Sequence, residues 1–318
     1  MTNQTLLITG ASGFVGRFLW PVALSKGFDI HVASRRCAEW SPALKCFQIG
    51  SLDGTTDWSA ALQGRSCVIH LAGRAHVMHE QLADPLSEYR RVNVAASLNL
   101  ARQAVQQGVK RFIYVSSVKV NGEATDRGQP FSADSQPAPQ DAYGISKWET
   151  EQALQALALE SGLELVIVRP TLIYGPGVKA NFATLIRLLK RRLPLPFATI
   201  TDNRRSLVGL DNLTDFLLLC VSHPAAANQT FLVSDGEDLS TAQLLSRLGS
   251  AIAYPARLFP VPQRFLEWGA KLSGKSQQAQ RLLGNLQVDI QKNRELLNWV
   301  PPVSVNQGFR RLGAHLSD

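Results

Sequence analysis

The chain lacks any apolar run that approaches the ~18 residues of a membrane span, and no basic-then-apolar leader precedes its first strand-like segment. Cysteine is scarce, and none of the four forms a Cys-x-x-Cys pair or a cluster with histidine. They are Cys37, Cys46, Cys67 and Cys220. We therefore expect a soluble, cytoplasmic protein with no membrane partner, whose cysteines are reduced and buried.

Metal-like and nucleic-acid-like patterns are also absent. His76, His79 and Glu80 have neither the spacing nor the partners of a metal site, so we expect no metal. The net charge is +8, but the one basic cluster, at 190–192, has no interleaved aromatic residues, and we expect no nucleic-acid partner. Most of the charge excess is typical of a solvated surface, and the rest suits a dianionic cofactor and substrate.

Up to about Pro170, apolar strand-like runs alternate with helical patterns, which is typical of an α/β fold with a Rossmann-type doubly wound parallel sheet. We predict strands at 5–9, 29–34, 46–50, 66–71, 110–116 and 163–168, and helices near 14–26, 84–108 and 143–161. Pro21 should kink the first helix or cost about 3 kcal/mol. The proline-containing segment 121–141 is predicted to be a loop.

After Pro170 the pattern loosens. Helices are predicted near 179–192, 211–222, 240–252, 263–273 and 289–298, with a short strand at 229–233. We expect a dinucleotide-binding domain over 1–170, to which 205–235 returns. A smaller, mostly helical substrate-binding domain would comprise 171–204 and 236–318.

Tyr143 and Lys147 stand four residues apart in a predicted helix, which places them on one face, about 5–6 Å apart at Cβ. An adjacent ammonium stabilises a phenolate, so the pair can make a proton-transfer catalyst of a tyrosine whose pKa is ordinarily about 10. The same spacing occurs by chance in many helices. A second motif supports the catalytic interpretation.

That motif is the glycine-rich segment Gly10-Ala11-Ser12-Gly13-Phe14-Val15-Gly16, which lies between an apolar strand and a predicted helix. Gly10 permits a tight turn, Gly13 lets the backbone approach phosphates, and Gly16 lets the helix pack close to the strand. The helix N-terminus offers free N–H groups to a pyrophosphate. A plain glycine-rich turn is the alternative, and the flanking strand and helix argue against it.

Further motifs follow along the chain. They are His70-Leu71-Ala72-Gly73, Asn93 within Arg91-Val92-Asn93-Val94, Tyr114-Val115-Ser116-Ser117, the stretch from Val168 to Gly177, and Arg204 seven residues before Asp211. With this set the sequence resembles, over nearly its whole length, the extended short-chain dehydrogenase/reductases of the NAD-dependent epimerase/dehydratase family. Within it, the chain is similar to the UDP-hexose 4-epimerase-like branch, particularly to bacterial 4-keto-reductases that form UDP-N-acetylquinovosamine for surface polysaccharides.

The resemblance implies catalytic roles for Tyr143, Lys147, Ser117 and Asn93. Ser117 is favoured over Ser116 because it stands five residues before Gly122, as the family's catalytic hydroxyl does, and because strand alternation points Ser116 to the other side. It would hydrogen-bond the sugar oxygen at C4. Asn93 would support the site from the neighbouring helix, or would be a helix-interior polar residue satisfied locally.

The resemblance also implies a set of cofactor-binding residues. These are Gly10, Ser12, Gly13, Phe14, Val15, Gly16, Ser34, Arg35, Arg36, Ser51, Leu52, Leu71, Ala72, Gly73, Tyr143, Lys147, Pro170 and Leu172. One position departs from the NAD pattern, since Ser34 followed by two arginines stands where an acid would accept from the ribose 2′-hydroxyl. We therefore favour NADP(H), with NAD(H) possible if both arginines face solvent.

For the substrate, the resemblance implies a UDP-sugar. Asn181 and Arg204 would bind the diphosphate, with Arg205 adjacent and open to a one-place error. Arg281 would add a second phosphate contact, and Phe197 would line the uracil pocket unless it packs in the core.

We predict reduction of the 4-keto group of a UDP-4-keto-6-deoxy-hexosamine, because the arginines beside Ser34 point to NADPH. The alternative is a UDP-glucose or UDP-N-acetylglucosamine 4-epimerase, since Tyr143, Ser117 and Lys147 serve either reaction. A non-catalytic dinucleotide sensor or a reductase of flavonoid-like carbonyl compounds fits the motifs less well. A homodimer is compatible with the sequence, which does not determine the oligomeric state.

Overall fold

The computed structural model describes residues 4–37, 44–75, 84–274 and 276–316. Its strands are β1 Thr5–Thr9, β2 Asp29–Ser34, β3 Lys45–Gln48, β4 Cys67–His70, β5 Arg111–Val115, β6 Glu164–Pro170, β7 Leu172–Tyr174, β8 Pro194–Leu195, β9 Arg205–Gly209, β10 Gln229–Val233, β11 Asp238–Leu239 and β12 Arg257–Leu258. Seven of them form one parallel sheet in the order β10-β6-β5-β4-β1-β2-β3. This is the Rossmann-type doubly wound sheet that the sequence predicts.

Helices cover both faces of this sheet. The α-helices of the described chain are α1 Phe14–Ser25, α2 Ser59–Leu62, α3 Pro85–Tyr89, α4 Ala96–Gln106, α5 Ala142–Ser161, α6 Ala180–Lys190, α7 Leu210–Ser222, α8 Thr241–Ala251, α9 Gln263–Leu272, α10 Ser276–Leu283, α11 Gln291–Leu297 and α12 Val305–His315. One apolar cluster joins the sheet to α1 and α7 through residues such as Leu19 and Phe216. A second joins the other face to α4 and α5 through Leu100 and Leu154.

Two predicted helices differ in detail from the observed ones. The helix α1 continues through Pro21, whose ring is exposed and therefore meets no packed neighbour inside the core. The predicted helix at 84–108 is α3 and α4 joined by a π-helix, Arg90–Ala95. Such π-helical turns are frequently found at functional sites.

The C-terminal part contains several short elements that the sequence did not predict. A three-stranded sheet has the order β11-β9-β7, and β12 pairs with β8. The apolar cluster beneath them is contributed mainly by α6, α8 and α12, including Phe182, Leu245 and Phe309. Strand β10 joins the large sheet, whereas β9 pairs with β7 and β11. The division into two domains stays a prediction.

The segment 121–141 is a loop apart from one isolated bridge, as predicted. It is fixed against the C-terminal part by backbone hydrogen bonds, from the N–H of Thr125 to the carbonyl of Asn285 and from the N–H of Phe131 to the carbonyl of Gln287. The loop therefore links the end of β5 to the segment 285–289.

The prediction that all four cysteines are reduced is wrong, because Cys37 and Cys46 form a disulfide. Strands β2 and β3 are neighbours, which brings the two Cα atoms to 5.6 Å, a separation that the nine-residue spacing alone does not reveal. Cys67 and Cys220 are free and buried, as expected. The cytoplasmic location remains a prediction.

Within the described part of the chain, no helix combines the length and the apolar character needed to cross a membrane.

Candidate active site

The carboxyl ends of the parallel strands meet at one edge of the large sheet. Gly10 follows β1, and Leu71, Ala72 and Gly73 follow β4; the two strands are neighbours where the strand order reverses. Ser117 follows β5 at the same edge. Crevices at such a reversal bind ligands in open α/β sheets.

The turn after β1 fits a pyrophosphate. Gly10 has φ +68°, and a Cβ there would lie 2.6 Å from the Ala72 nitrogen, so the two strand ends approach too closely for any side chain. At Gly16 a Cβ would lie 2.3 Å from the carbonyl oxygen of Gly10. The first turn of α1 has no acidic residue, and Gly13 caps it without a side-chain hydrogen bond. The helix N-terminus thus stays open to an anion.

The other predicted cofactor residues lie along this edge. Ser12 is exposed, and Phe14 and Val15 are partly buried at the start of α1. Ser51 and Leu52 follow β3, Pro170 ends β6, and Leu172 begins β7 in the neighbouring three-stranded sheet. Ser34 ends β2, and its hydroxyl accepts from the N–H of Arg36 at 3.3 Å. The side chains of Arg35 and Arg36 are exposed beside it.

Tyr143 lies in the first turn of α5, which Asp141 caps by accepting from the N–H of Gly144 at 2.7 Å. The hydroxyl of Ser117 hydrogen-bonds Tyr143, so the structure brings Ser117 to the phenol. Ser116 is buried, and no hydrogen-bond partner for its hydroxyl is found among the described residues.

Burial raises the pKa of the Tyr143 phenol, and the hydrogen bond from Ser117 opposes that shift only in part. This result corrects the expectation that Lys147 lowers the phenol pKa. The Lys147 ammonium lies 5.8 Å from the centroid of the Tyr143 ring, and its charge is not among the causes of this shift, of which burial is the largest.

Lys147 lies one turn further along α5 and is buried. Its ammonium donates to the carbonyl of Val115 at 2.9 Å and lies 4.6 Å from the centroid of the Tyr114 ring. Burial lowers the pKa of Lys147 to about 8, against the opposing charge of Glu151. An ammonium held at the end of β5, and adjacent to Gly73, can reach the ligand crevice.

Asn93 lies in the π-helix and is buried. Its amide donates to the Ser146 hydroxyl at 2.9 Å and to the Arg74 carbonyl, and its oxygen accepts from the Arg74 N–H at 2.7 Å. These partners are 19 and 53 residues away, so the alternative of local satisfaction is wrong. Asn93 ties the turn after β4 to the residue preceding Lys147.

On the substrate side, Arg204 and Arg205 point in different directions, as neighbours at the start of a strand do. The Arg204 guanidinium donates to the carbonyls of Thr201 and Asn203. Arg205 instead donates to the carbonyl of Gly284 at 3.4 Å, and burial followed by the charge of Arg281 lowers its pKa to about 10. The charge of Arg281 therefore acts on Arg205.

The structure accounts for the other predicted substrate-binding residues only in part. Phe197 is half-buried and packs against the apolar cluster under α6 and α8, which agrees with the core alternative. The side chain of Asn181 lies outside the described residues, as do His76, His79 and Glu80. Among the residues that are described, no group of histidine, cysteine, aspartate and glutamate side chains could hold a metal.

The sequence did not single out the acidic and basic residues that surround Ser117. Lys119 donates to Glu123 at 2.8 Å and to Asp141, and Glu123 lies 3.9 Å from Arg281. Because Asp141 caps α5, this network connects the turn that carries Tyr143 to α10. Lys119 and Glu123 are four residues apart, but Asp141 and Arg281 are distant in sequence, and only the fold brings them to this pair.

A buried ion pair also connects α5 to the large sheet. Arg169 on β6 binds Glu151 on α5 at 2.6 Å and also donates to Asn121 at 3.1 Å. Both charged side chains are almost fully buried. Removing one partner of such a pair typically costs 3–5 kcal/mol, so the pair holds α5 firmly against the sheet.

His70 lies beneath the glycine-rich turn. Its ring contacts the hydroxyl of Thr9 at 2.6 Å and that of Ser97 at 2.8 Å, and Thr9 also accepts from the N–H of Ala72. Burial, followed by the charge of Lys147, lowers the pKa of His70 to about 3. The ring is therefore neutral at physiological pH.

This neutral histidine predicts acid sensitivity. Below the unfolded-state pKa of about 6.5, the unfolded chain binds a proton that the folded chain does not bind until about pH 3. The free energy of unfolding should therefore fall as pH falls, by up to about 1.4 kcal/mol per pH unit from this group. Urea unfolding at several pH values should show a shallower decline for His70→Gln than for wild type. The exposed His315→Gln is the control, and a wild-type slope in His70→Gln would contradict this assignment.

Comparison with known proteins places these observations in context. The sequence profile described as "NAD dependent epimerase/dehydratase family" matches residues 6–234. A "UDP-glucose 4-epimerase" of Vibrio cholerae is 47% identical over 309 residues, covering 97% of this chain and 94% of the relative.

Two solved structures share the fold. The UDP-glucose 4-epimerase of Thermotoga maritima, solved with UDP-glucose, superposes with a TM-score of 0.77 at 21% identity, covering 99% of both chains. The UDP-glucuronic acid 4-epimerase of Bacillus cereus, in complex with NAD, gives 0.79 at 19% identity, covering 99% of this chain and 96% of that one.

Proposed function

Because this chain belongs to the NAD-dependent epimerase/dehydratase family, we propose that it is a UDP-hexose 4-epimerase, acting on UDP-glucose and UDP-galactose or their N-acetylated forms. The observation that carries the proposal is the 47% identity to a UDP-glucose 4-epimerase over nearly the full length of both chains. This favours the alternative that the sequence left open over the predicted 4-keto-reductase.

The geometry at the carboxyl edge is compatible with this reaction. A nicotinamide dinucleotide bound at the Gly10 turn would accept a hydride from C4 of the sugar and later return it. Tyr143 would accept the C4 hydroxyl proton during oxidation and return it during reduction. Ser117, hydrogen-bonded to Tyr143, would align the sugar oxygen and favour the phenolate, and the Lys147 ammonium would bind the cofactor beside them.

On the substrate side, Arg281 lies 3.9 Å from Glu123, and its charge acts on the guanidinium of Arg205. A diphosphate could bind the guanidinium groups of both Arg205 and Arg281, because planar guanidinium groups bind phosphate oxygens in a bidentate manner. We propose this pair for the UDP diphosphate, in place of Arg204 and Arg281.

The test is interconversion of UDP-glucose and UDP-galactose by the purified chain, with catalytic amounts of NAD⁺ and NADP⁺ supplied separately. We expect both sugars to approach equilibrium with no net change in NAD(P)H absorbance, since the hydride that is removed is returned. The N-acetylated pair should be assayed in parallel. The proposal would be contradicted if neither pair of sugars were interconverted.

A reductase remains the second candidate because of one observation. Ser34, Arg35 and Arg36 provide a hydroxyl and two exposed guanidinium groups where NAD enzymes carry an acid, which suits the 2′-phosphate of NADPH. Stoichiometric oxidation of NADPH by a UDP-4-keto-6-deoxy-hexosamine, without any epimerisation, would support this reading.

We also propose a preference for NADP(H) over NAD(H), by one or two charge-assisted contacts of about 1.5–3 kcal/mol each. Calorimetric titration of both cofactors at low and high salt should show tighter NADP(H) binding that weakens as salt screens the charges. Arg35→Ala and Arg36→Ala should lower NADP(H) affinity and leave NAD(H) affinity nearly unchanged. Equal affinities that neither variant alters would overturn the preference.

A further inference from the structure

Helix α9 presents an exposed apolar face that packing does not explain. Phe265, Trp268 and Leu272 are 55%, 64% and 69% exposed, and Phe259, just after β12, is 41% exposed. The spacing of three and four residues places the three helix side chains on one face. On the opposite face, Leu266 and Ala270 are partly buried. The helix is therefore amphipathic, with its strongly apolar face turned to solvent.

Basic side chains border this face. Arg264 and Lys271 are seven residues apart, so they lie along the same edge of the helix, and both are exposed. The Arg264 guanidinium lies 5.3 Å from the centroid of the Phe265 ring. From residue 257 to 281 the sequence has five basic residues and one acidic residue, Glu267, to which Gln263 donates at 2.7 Å. The apolar face thus lies within a strongly positive segment.

The area of the face argues against a second copy as its occupant. Four half-exposed side chains of this size offer about 400 Å². A stable protein interface buries about 800 Å² on each partner, with a polar rim of both signs. Two copies meeting here would also bring two positive segments together, which is unfavourable.

We propose that α9 binds the surface of an anionic lipid bilayer, lying in its plane with Phe265, Trp268 and Leu272 inserted and with Arg264 and Lys271 at the phosphates. Short helices with aromatic residues on one face and Lys or Arg beside them bind interfaces in this way, without spanning the bilayer. Tryptophan in particular is enriched at the headgroup level. The absence of a long apolar run in the sequence excludes a spanning segment and does not bear on this mode of binding.

The position of α9 would bring a bound bilayer close to the candidate active site. The helix lies beside α10, which carries Arg281 opposite Glu123. Binding at a bilayer would therefore place the substrate side of the crevice near the lipid surface. This inference goes beyond the proposed reaction and does not depend on it.

Flotation of the full chain with lipid vesicles tests the proposal. We expect binding to vesicles of equal parts phosphatidylglycerol and phosphatidylcholine at low salt, and at least tenfold weaker binding to phosphatidylcholine alone. The double variant Phe265→Ser/Trp268→Ser should lose at least tenfold in binding to the anionic vesicles. Arg264→Gln/Lys271→Gln should weaken binding and reduce its salt dependence.

The matched control is Leu159→Ser, which removes an exposed leucine from α5, 89% exposed, and should bind as wild type does. Thermal unfolding and turnover of a soluble UDP-hexose should be unchanged in every variant, because none of these residues touches the candidate site. The proposal is overturned if wild type does not float with anionic vesicles, or if the Phe265/Trp268 variant floats equally well. It is also overturned if that variant merely converts a dimer to a monomer.

Discussion

Replacing Tyr143 with phenylalanine should lower turnover by a factor on the order of 10² to 10⁴, the usual contribution of a positioned acid–base group. The substitution removes only the hydroxyl, which Ser117 contacts, and leaves the ring to pack against Tyr89 at 6.1 Å between centroids. Affinities for dinucleotide and for UDP should therefore stay within about threefold of wild type. Steady-state kinetics and calorimetric binding measure the two quantities separately.

Tyr89→Phe is the matched control, since it removes a phenolic hydroxyl from the neighbouring ring, which is itself buried. We expect near-wild-type turnover from it. Two results would remove Tyr143 from the mechanism. One is wild-type turnover in Tyr143→Phe, and the other is an equal loss in both variants, which would indicate a packing effect.

Much of the large sheet could be predicted because each strand carries its own signal. The runs 5–9, 29–34 and 229–233 match β1, β2 and β10, since a strand buried on both faces is continuously apolar. The strands β8, β11 and β12 were missed because they have only two residues each, too few for any periodicity. The disulfide between Cys37 and Cys46 was missed because it depends on the pairing of β2 with β3.

The candidate site shows the same division between local and non-local information. The separation of four residues between Tyr143 and Lys147 is a property of one helix, and the structure preserves it. The direction of the Tyr143 pKa is not local, because it depends on how deeply the packed neighbours bury the phenol. Likewise, the choice between Arg204 and Arg205 depends on strand parity and on the position of Arg281.

Lys147→Met should impair both cofactor affinity and turnover, since the resemblance implies that the ammonium binds the ribose hydroxyls of the cofactor beside Tyr143. Loss of one charge-assisted hydrogen bond of about 1.5–3 kcal/mol corresponds to roughly tenfold to 100-fold weaker dinucleotide binding. Turnover at saturating cofactor should fall as well, because the bound cofactor loses a contact that positions it beside Tyr143. Binding titrations and saturation kinetics distinguish this variant from Tyr143→Phe, in which affinity is retained.

The same substitution has a pH signature in stability. Burial lowers the folded-state pKa of Lys147 to about 8, below its unfolded value of about 10.4. Between about pH 8 and about pH 10.4 the unfolded chain binds more protons than the folded chain, so the free energy of unfolding rises with pH. Burial of the lysine therefore lowers the free energy of unfolding most below about pH 8, and this destabilisation disappears as pH approaches about 10.4. The stability gain of Lys147→Met over wild type, measured as the difference in the free energy of unfolding, should therefore be largest below pH 8 and should decrease above it. Lys110→Met, at a side chain that is 78% exposed, should show no such trend. A stability difference that does not vary with pH, together with unchanged cofactor affinity, would mean that Lys147 is neither strained by burial nor part of the cofactor site.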